Sequence, residues 1–269
     1  MVVLANFNIS LSARSESGLI RLNNEDNLFC NGISMTVLTR VRPFSLNGIA
    51  ESPCIFAVCD GMGGEDEGEL ASLTTVNTLC THSEKIKLLA SSNYIDKVVQ
   101  AFIDDANKKL CEIMRLRSVR LGTTIALVVI SNEFVRAYNI GDSRIYKFQD
   151  GILVQLSEDH TVAEQKRKMG LLTSEQAKHD KSRHVLTRYL GIFEDEMVLT
   201  PDIITPFKTS KGVKLLLCSD GLTDMLEDKY IEKIMQTFNE PEKIVNTLVN
   251  KALENGGKDN ITCIVVALN

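Results

Sequence analysis

Cys54-Ile55-Phe56-Ala57-Val58-Cys59-Asp60-Gly61-Met62-Gly63-Gly64 joins an unbroken apolar run to an aspartate and a cluster of glycines. The run at 54–59 has the length and β-branched content of a strand buried on both faces. Asp60 then sits at the strand's end, and Gly61 leaves no side chain beside its carboxylate. After the glycines the apolar period changes. Leu70, Leu73, Val76 and Leu79-Cys80, then Val98-Val99, Phe102, Ala106 and Leu110, recur at helical spacing, predicting helices over 69–89 and 95–115.

Upstream, residues 6–13 alternate apolar and polar and predict an edge strand, with another strand at 27–31. Downstream, 123–130, 134–140, 144–149 and 152–156 are rich in β-branched and aromatic residues. Turn signals at Ser131-Asn132 and Asp150-Gly151 separate some of them, so this block reads as an antiparallel meander. Residues 160–188 are polar and helix-prone, a surface excursion of one or two short helices. Strands are expected again at 197–204 and 213–218. Helices follow at 229–238 and 241–255, the latter with Pro241 at its first position, and a last strand at 260–268. Runs of strands interrupted by helix pairs give an α+β fold with antiparallel sheets packed between helices.

Composition limits the partners. The 269 residues carry 30 Lys plus Arg against 35 Asp plus Glu, a net charge of -5, with 44% apolar residues. These are globular values that exclude a disordered chain or a rod. With five prolines and no Ser/Pro-rich linker, one compact domain is expected. No basic block favours nucleic acid, and no apolar run approaches the ~18 residues of a membrane span. The start lacks the basic region of a signal peptide. Seven cysteines without a C-x-x-C pair suit reduced thiols in the cytoplasm, neither a disulfide framework nor a zinc site.

The chemistry lies at the strand ends. Asp-containing turns recur at Arg21-Leu22-Asn23-Asn24-Glu25-Asp26, Asp60-Gly61, Gly141-Asp142-Ser143-Arg144, Ser219-Asp220-Gly221 and Lys258-Asp259-Asn260. A lone Asp-Gly is commonly a turn former. Several at strand ends can bring carboxylates together, and crowded carboxylates call for a divalent cation. Oxygen donors without a histidine pair at ligand spacing point to Mg2+ or Mn2+.

The ordered motifs resemble the metal-dependent protein serine/threonine phosphatases of type 2C, in their bacterial form. They are Gly18-Leu19-Ile20-Arg21 with Glu25-Asp26, Asp60-Gly61-Met62-Gly63-Gly64, Gly122-Thr123-Thr124, Asn139-Ile140-Gly141-Asp142-Ser143-Arg144, Ser157-Glu158-Asp159-His160-Thr161, Leu186-Thr187-Arg188, Ser219-Asp220-Gly221 with Asp224, and Asp259-Asn260. The resemblance implies one domain over 1–269: a four-layer αββα sandwich of two antiparallel sheets flanked by helix pairs, with a small helical flap at about 160–190. It implies hydrolysis of phosphoserine and phosphothreonine by a water activated at a binuclear Mn2+ or Mg2+ centre, without a phosphoenzyme. Asp60 would bridge both ions, the Gly61 carbonyl would bind one, and Asp220 and Asp259 the other. Glu25 and Asp26 would hold metal-bound waters. Asp142, with Asp220 or Asp224, would supply a third ion site. Arg21 would bind phosphate, a task that suits a guanidinium fork. Asp60, Asp220 and Arg21 are the expected catalytic set. The implied partners are phosphorylated proteins, including a cognate Ser/Thr kinase, for a monomeric cytoplasmic enzyme.

The chain departs from the resemblance at the leaving-group proton. Met62 and Glu65 stand where relatives often carry histidine, leaving Glu65, Asp26 and a metal-bound water as donors. Glu65 also suits a helix start by charge alone. His160 and His184 mark the flap. Cys218 would share a strand face with Asp220 and lie near the metal centre if the strand runs that far; the favoured reading is a small buried hydrophobe. A degenerate phosphatase-like binding module would have lost ligands, and every expected ligand is present. A two-metal phosphodiesterase would commonly add histidine ligands.

Overall fold

The buried run at 54–59 is the centre of one of two antiparallel sheets. The structure is a computed structural model that describes residues 8–36, 43–63 and 67–269. The first sheet runs β12 (Asp202–Lys208), β9 (Phe134–Ile140), β8 (Ile125–Ile130), β5 (Cys54–Cys59), β2 (Asn27–Cys30), β3 (Ile33–Ser34). The second runs β11 (Ile152–Gln155), β10 (Arg144–Gln149), β13 (Lys214–Cys218), β14 (Ile261–Leu268), β1 (Ile9–Glu16), β4 (Phe44–Ala50). A short ribbon pairs β6 (Gly61–Gly63) with β7 (Leu121–Thr123).

Side-chain alternation divides each strand between two cores. Phe56, Val58, Val128, Leu215, Leu217, Ile264 and Val266 meet between the sheets. Ile55, Ala57, Leu127 and Val129 face outward, onto α1 (Glu67–Leu88) and α2 (Ile95–Arg117). Tyr146, Leu216, Cys218 and Val265 face α6 (Asp228–Thr237) and α7 (Pro241–Glu254) on the other side. Three apolar layers therefore hold four layers of secondary structure, helix-sheet-sheet-helix. The short helices α3 (Val162–Lys168) and α4 (Ser174–His179) lie in the polar excursion. Thr161 and Thr173 cap them by accepting from Glu164 N and Gln176 N.

Two sequence expectations need correction. The first strand is interior, paired on both sides, with β14 and β4. Of its polar positions, Ser12 is buried and Ser10 Oγ accepts from Asn269 Nδ2 at 2.8 Å; further along the strand, Ser15 Oγ and Thr262 Oγ1 are 2.6 Å apart, and Asn24 Nδ2 donates to Ser15 Oγ at 2.8 Å. Residues 6 and 7 of that expectation lie outside the described residues. The strand that covers it, β4, has a weak pattern, with Gly48 and Asn47 interrupting its apolar positions. The strand expected at 197–204 is displaced to Asp202–Lys208, because Pro206 is tolerated at a register shift on an edge strand. The favoured reading of Cys218, a small buried hydrophobe, agrees with the structure. The strand ends there, and Asp220 opens a new helical turn, α5 (Asp220–Thr223), so the two side chains are not in strand alternation. Cys218 lies directly across from Cys263 inside the helix-facing core, and burial pushes its thiol well above the usual range. Of the seven cysteines only Cys80 is exposed.

Phe56 fills the layer between the sheets at 0% exposure. Phe56→Ala should cost about 3–5 kcal/mol of unfolding free energy by urea titration. Cys218→Ser and the native chain should lose activity under peroxide at the same rate, because a buried neutral thiol reacts poorly.

Candidate active site

Both sheets end in carboxylates at the same edge of the sandwich. Asp60 follows β5 and Asp26 precedes β2, in one sheet. Asp220 follows β13 and Asp259 precedes β14, in the other. Asp142 lies in the connection from β9 to β10, where the chain crosses between sheets. A cavity of about 610 Å3 opens there. Arg21, Glu25, Asp60, Gly61, Asp142, Asp220, Asp224 and Asp259 all line it. Asp26 lies beneath, fully buried, and accepts from Ser219 Oγ at 2.7 Å. Every expected site residue therefore converges on one place.

Backbone hydrogen bonds hold the carboxylates against one another. Asp60 N donates to Thr124 Oγ1 at 2.9 Å, Thr124 N donates to Asp60 O at 2.9 Å, and Thr123 Oγ1 donates to the same carbonyl at 2.8 Å. These bonds explain why β7 and β8 break at Thr124. Asn260 braces the opposite wall. Its Nδ2 donates to Ser17 O at 3.0 Å and Asn23 O at 2.8 Å, and its Oδ1 accepts from Glu25 N at 2.8 Å. Two glycines are required by close approach. A Cβ on Gly61 would lie 2.1 Å from Gly68 O, and one on Gly221 would lie 2.0 Å from Asn260 O.

The cluster's charge is only partly answered by the chain's own cations. Arg21 Nη2 donates to Asp259 Oδ2 at 2.6 Å, an ion pair that raises the guanidinium's pKa further. His184 reaches in from the segment that follows α4: Nδ1 is 3.3 Å from Asp220 Oδ2, and Nε2 is 3.3 Å from Asp224 Oδ2. Its hydrogen bond to Asp220 raises the imidazole's pKa, and in return His184 holds Asp220 below the carboxylate range although burial opposes this. The others are left expensive. Burial first, then neighbouring carboxylates, hold Asp60 and Asp142 well above the usual range. Burial, with help from Asp220 and Asp259, pushes Asp26 up to about 7. Asp26 Oδ1 is buried with no hydrogen-bond partner.

That orphaned oxygen and the all-oxygen donor set fit hard divalent cations. Asp142, His184 and Asp220 form a further ligand group, with one donor atom from each within 4.8 Å of the others. Asp224 lines the same cavity and faces His184 and Arg183. The sequence signal for His184 was its position in the flap. The roles of Thr124, Ser219 and Asn260 carried no sequence signal beyond their place in the motifs. Glu65 lies outside the described residues. His160 stays out of the cavity: Gly141 N donates to its Nδ1 at 3.0 Å, and its Nε2 donates to Asp202 Oδ2 at 3.0 Å.

A second cavity, of about 690 Å3, sits at the opposite end of the sandwich around Lys214. The Lys214 ammonium already donates to Met235 O, Phe238 O and Asn239 Oδ1, at 2.8, 2.6 and 3.2 Å. All three of its protons are committed, so it caps α6 and has none left for a ligand.

The protein phosphatase 2C family model matches residues 46–255. The serine/threonine phosphatase stp of Listeria innocua is 30% identical over 263 residues, covering 95% of this chain and 94% of that protein. The crystal structure of the Mycobacterium tuberculosis serine/threonine phosphatase PstP/Ppp aligns at a TM-score of 0.81 and 27% identity, over 97% of this chain and 99% of that one. The PstP catalytic domain in complex with two manganese ions aligns at a TM-score of 0.77 and 26% identity, with the same coverage of both chains.

The pH dependence follows from Asp26. A carboxyl raised from 3.8 to about 7 stabilises the fold while protonated. That contribution is complete below the unfolded value and is lost as pH rises through the folded one. Divalent cations need the ionised form, so binding releases protons. The rise in Tm on adding Mn2+ should therefore grow from about pH 5.5 to about pH 8. A Mn2+ shift in Tm that is constant across this range would contradict the assignment.

Proposed function

The chain belongs to the protein phosphatase 2C family and is a metal-dependent protein serine/threonine phosphatase, and from that premise we propose which residues do the work. Asp60, the Gly61 carbonyl, Asp220 and Asp259 hold the two Mn2+ or Mg2+ ions that serve as its cofactor. Asp142, Asp220 and His184 hold a third, with Asp224 steadying His184. The observation that carries this reading is the convergence of these donors on the lining of one cavity.

Bound there, the cations supply an acidified water as nucleophile. The remaining work belongs to the chain. Glu25 and Asp26 accept hydrogen bonds from water in the cavity and orient it. Arg21 binds the phosphoryl oxygens. Its present partner Asp259 competes for the same guanidinium, so neutralising Asp259 frees Arg21 for the substrate. A guanidinium fork then stabilises charge on the equatorial oxygens as the Ser or Thr oxygen leaves. Met62 and Tyr189 line the same cavity and limit water around the phosphate.

The chain acts as one catalytic domain with residues 160–190 as its flap, since His184, Leu186 and Tyr189 reach the cavity from that segment. Phosphorylated proteins are the substrates, and a cognate Ser/Thr kinase is proposed among them. The enzyme is read as a cytoplasmic monomer. No helix among the described residues is long and apolar enough to cross a membrane. Intact ligand positions argue against a degenerate binding module.

p-Nitrophenyl phosphate and a phosphothreonine peptide should both be hydrolysed with Mn2+ or Mg2+, and EDTA should stop the reaction. Asp220→Ala should lower kcat by at least about a hundredfold, because it removes a donor that two ion sites share. Arg21→Lys should keep the charge but lose the fork, raising KM for the phosphopeptide by about tenfold with a smaller fall in kcat.

A further inference from the structure

The loop that carries Arg21 is apolar on both sides of it. Leu19 is 65% exposed, Ile20 68% and Leu22 98%. A single exposed aliphatic residue needs no explanation, but contiguous ones beside a functional cavity mark a surface for binding. Fraying does not account for them, because the loop is braced along its length. Leu19 N donates to Gly257 O at 2.7 Å, and Asn260 Nδ2 ties down Ser17 O before the loop and Asn23 O after it. At Gly18, with φ +79, a Cβ would lie 2.3 Å from Asp259 O, so the loop rests directly on the Asp259 turn. Leu19 lies over Gly257, and Ile20 and Leu22 are the residues left to water.

A braced apolar surface binds at low entropic cost. Its occupant follows from its position. Arg21 lines the cavity, and Ile20 and Leu22 are its immediate chain neighbours, so a segment whose phosphate reaches Arg21 passes close to both. Consecutive Cα atoms are about 3.8 Å apart, so residues within two or three positions of the phosphoresidue come level with them. Leu186 and Met225 add apolar side chains to the lining of the cavity that Arg21 enters.

We propose that Ile20 and Leu22 form an apolar ridge that selects phosphorylated segments carrying aliphatic side chains beside the phosphoresidue, an inference that rests on the phosphatase reading above. The experiment uses the whole chain with Mn2+ and two phosphothreonine peptides of equal charge. One carries Leu and Val on either side of the phosphothreonine, and the other carries Ser and Gly there. The native chain should prefer the aliphatic peptide by about five- to tenfold in kcat/KM, the low end for an open apolar subsite. In the Ile20→Ser/Leu22→Ser double variant that ratio should fall to about one, while circular dichroism shows an unchanged fold. Hydrolysis of p-nitrophenyl phosphate separates the two layers of the argument. If that small ester is turned over but the peptides are not distinguished, or the variant keeps the preference, the ridge proposal is overturned alone. If no phosphoester is turned over with metal, the phosphatase reading fails and takes the ridge with it. Sedimentation of both chains covers the other occupant: a dimer of the native chain that the variant loses would assign the ridge to self-association and overturn the proposal.

Discussion

Mutual repulsion among carboxylates is the constraint on which this molecule is built. Asp26, Asp60, Asp142, Asp220 and Asp259 arrive from five separate points of the chain and are held at one edge of two packed sheets. Low-dielectric surroundings make each ionised neighbour costly. Without cations the cluster manages in two ways. Arg21 and His184 stand beside it as counter-charges, and burial with neighbouring carboxylates raises the pKa of Asp26, Asp60 and Asp142 above the usual carboxylate range. Both arrangements are reversible, so the site is poised to exchange protons and side-chain cations for divalent ions.

Such a cluster can persist only if the scaffold cannot relax away from it. Three apolar layers, between the sheets and under each helix pair, supply that rigidity. Close backbone contacts at Gly61 and Gly221 leave no room for the strand ends to drift. Thr124 and Asn260 act as pins, the first on Asp60 and the second on the loop of Arg21 and Glu25. The Asn260 bracing also fixes the exposed Ile20 and Leu22 beside the cavity, so the residues that stiffen the site shape its approach as well.

Much of this was legible from residue order. The run at 54–59 read as a buried strand because both its faces are apolar, and both are covered. The helices flanking the sheets were recovered from period, with ends shifted by a residue or two. The Asp-Gly turns marked the site because glycine beside a terminal carboxylate is a local signal. Legibility failed where burial and polarity diverge. Asn8, Ser10 and Ser12 made β1 look like an edge, although it pairs with a strand on both sides and Ser12 is buried. Cys218 read as a small buried hydrophobe, and it is one, because the chain turns into α5 before strand alternation reaches Asp220.

The sequence by itself determined the kinds of atom available: oxygen donors at strand ends, one guanidinium in a glycine-led loop, and apolar periods that require two sheets between helices. Those are properties of neighbouring residues, and short-range chemistry sets them. Only the tertiary structure decided which donors share a cavity, that His184 enters from the segment that follows α4, opposite Asp142 and Asp220, and that Cys218 faces a helix-covered core. These facts depend on where two sheets stop relative to each other. Packing across hundreds of positions sets that, and no local pattern encodes it.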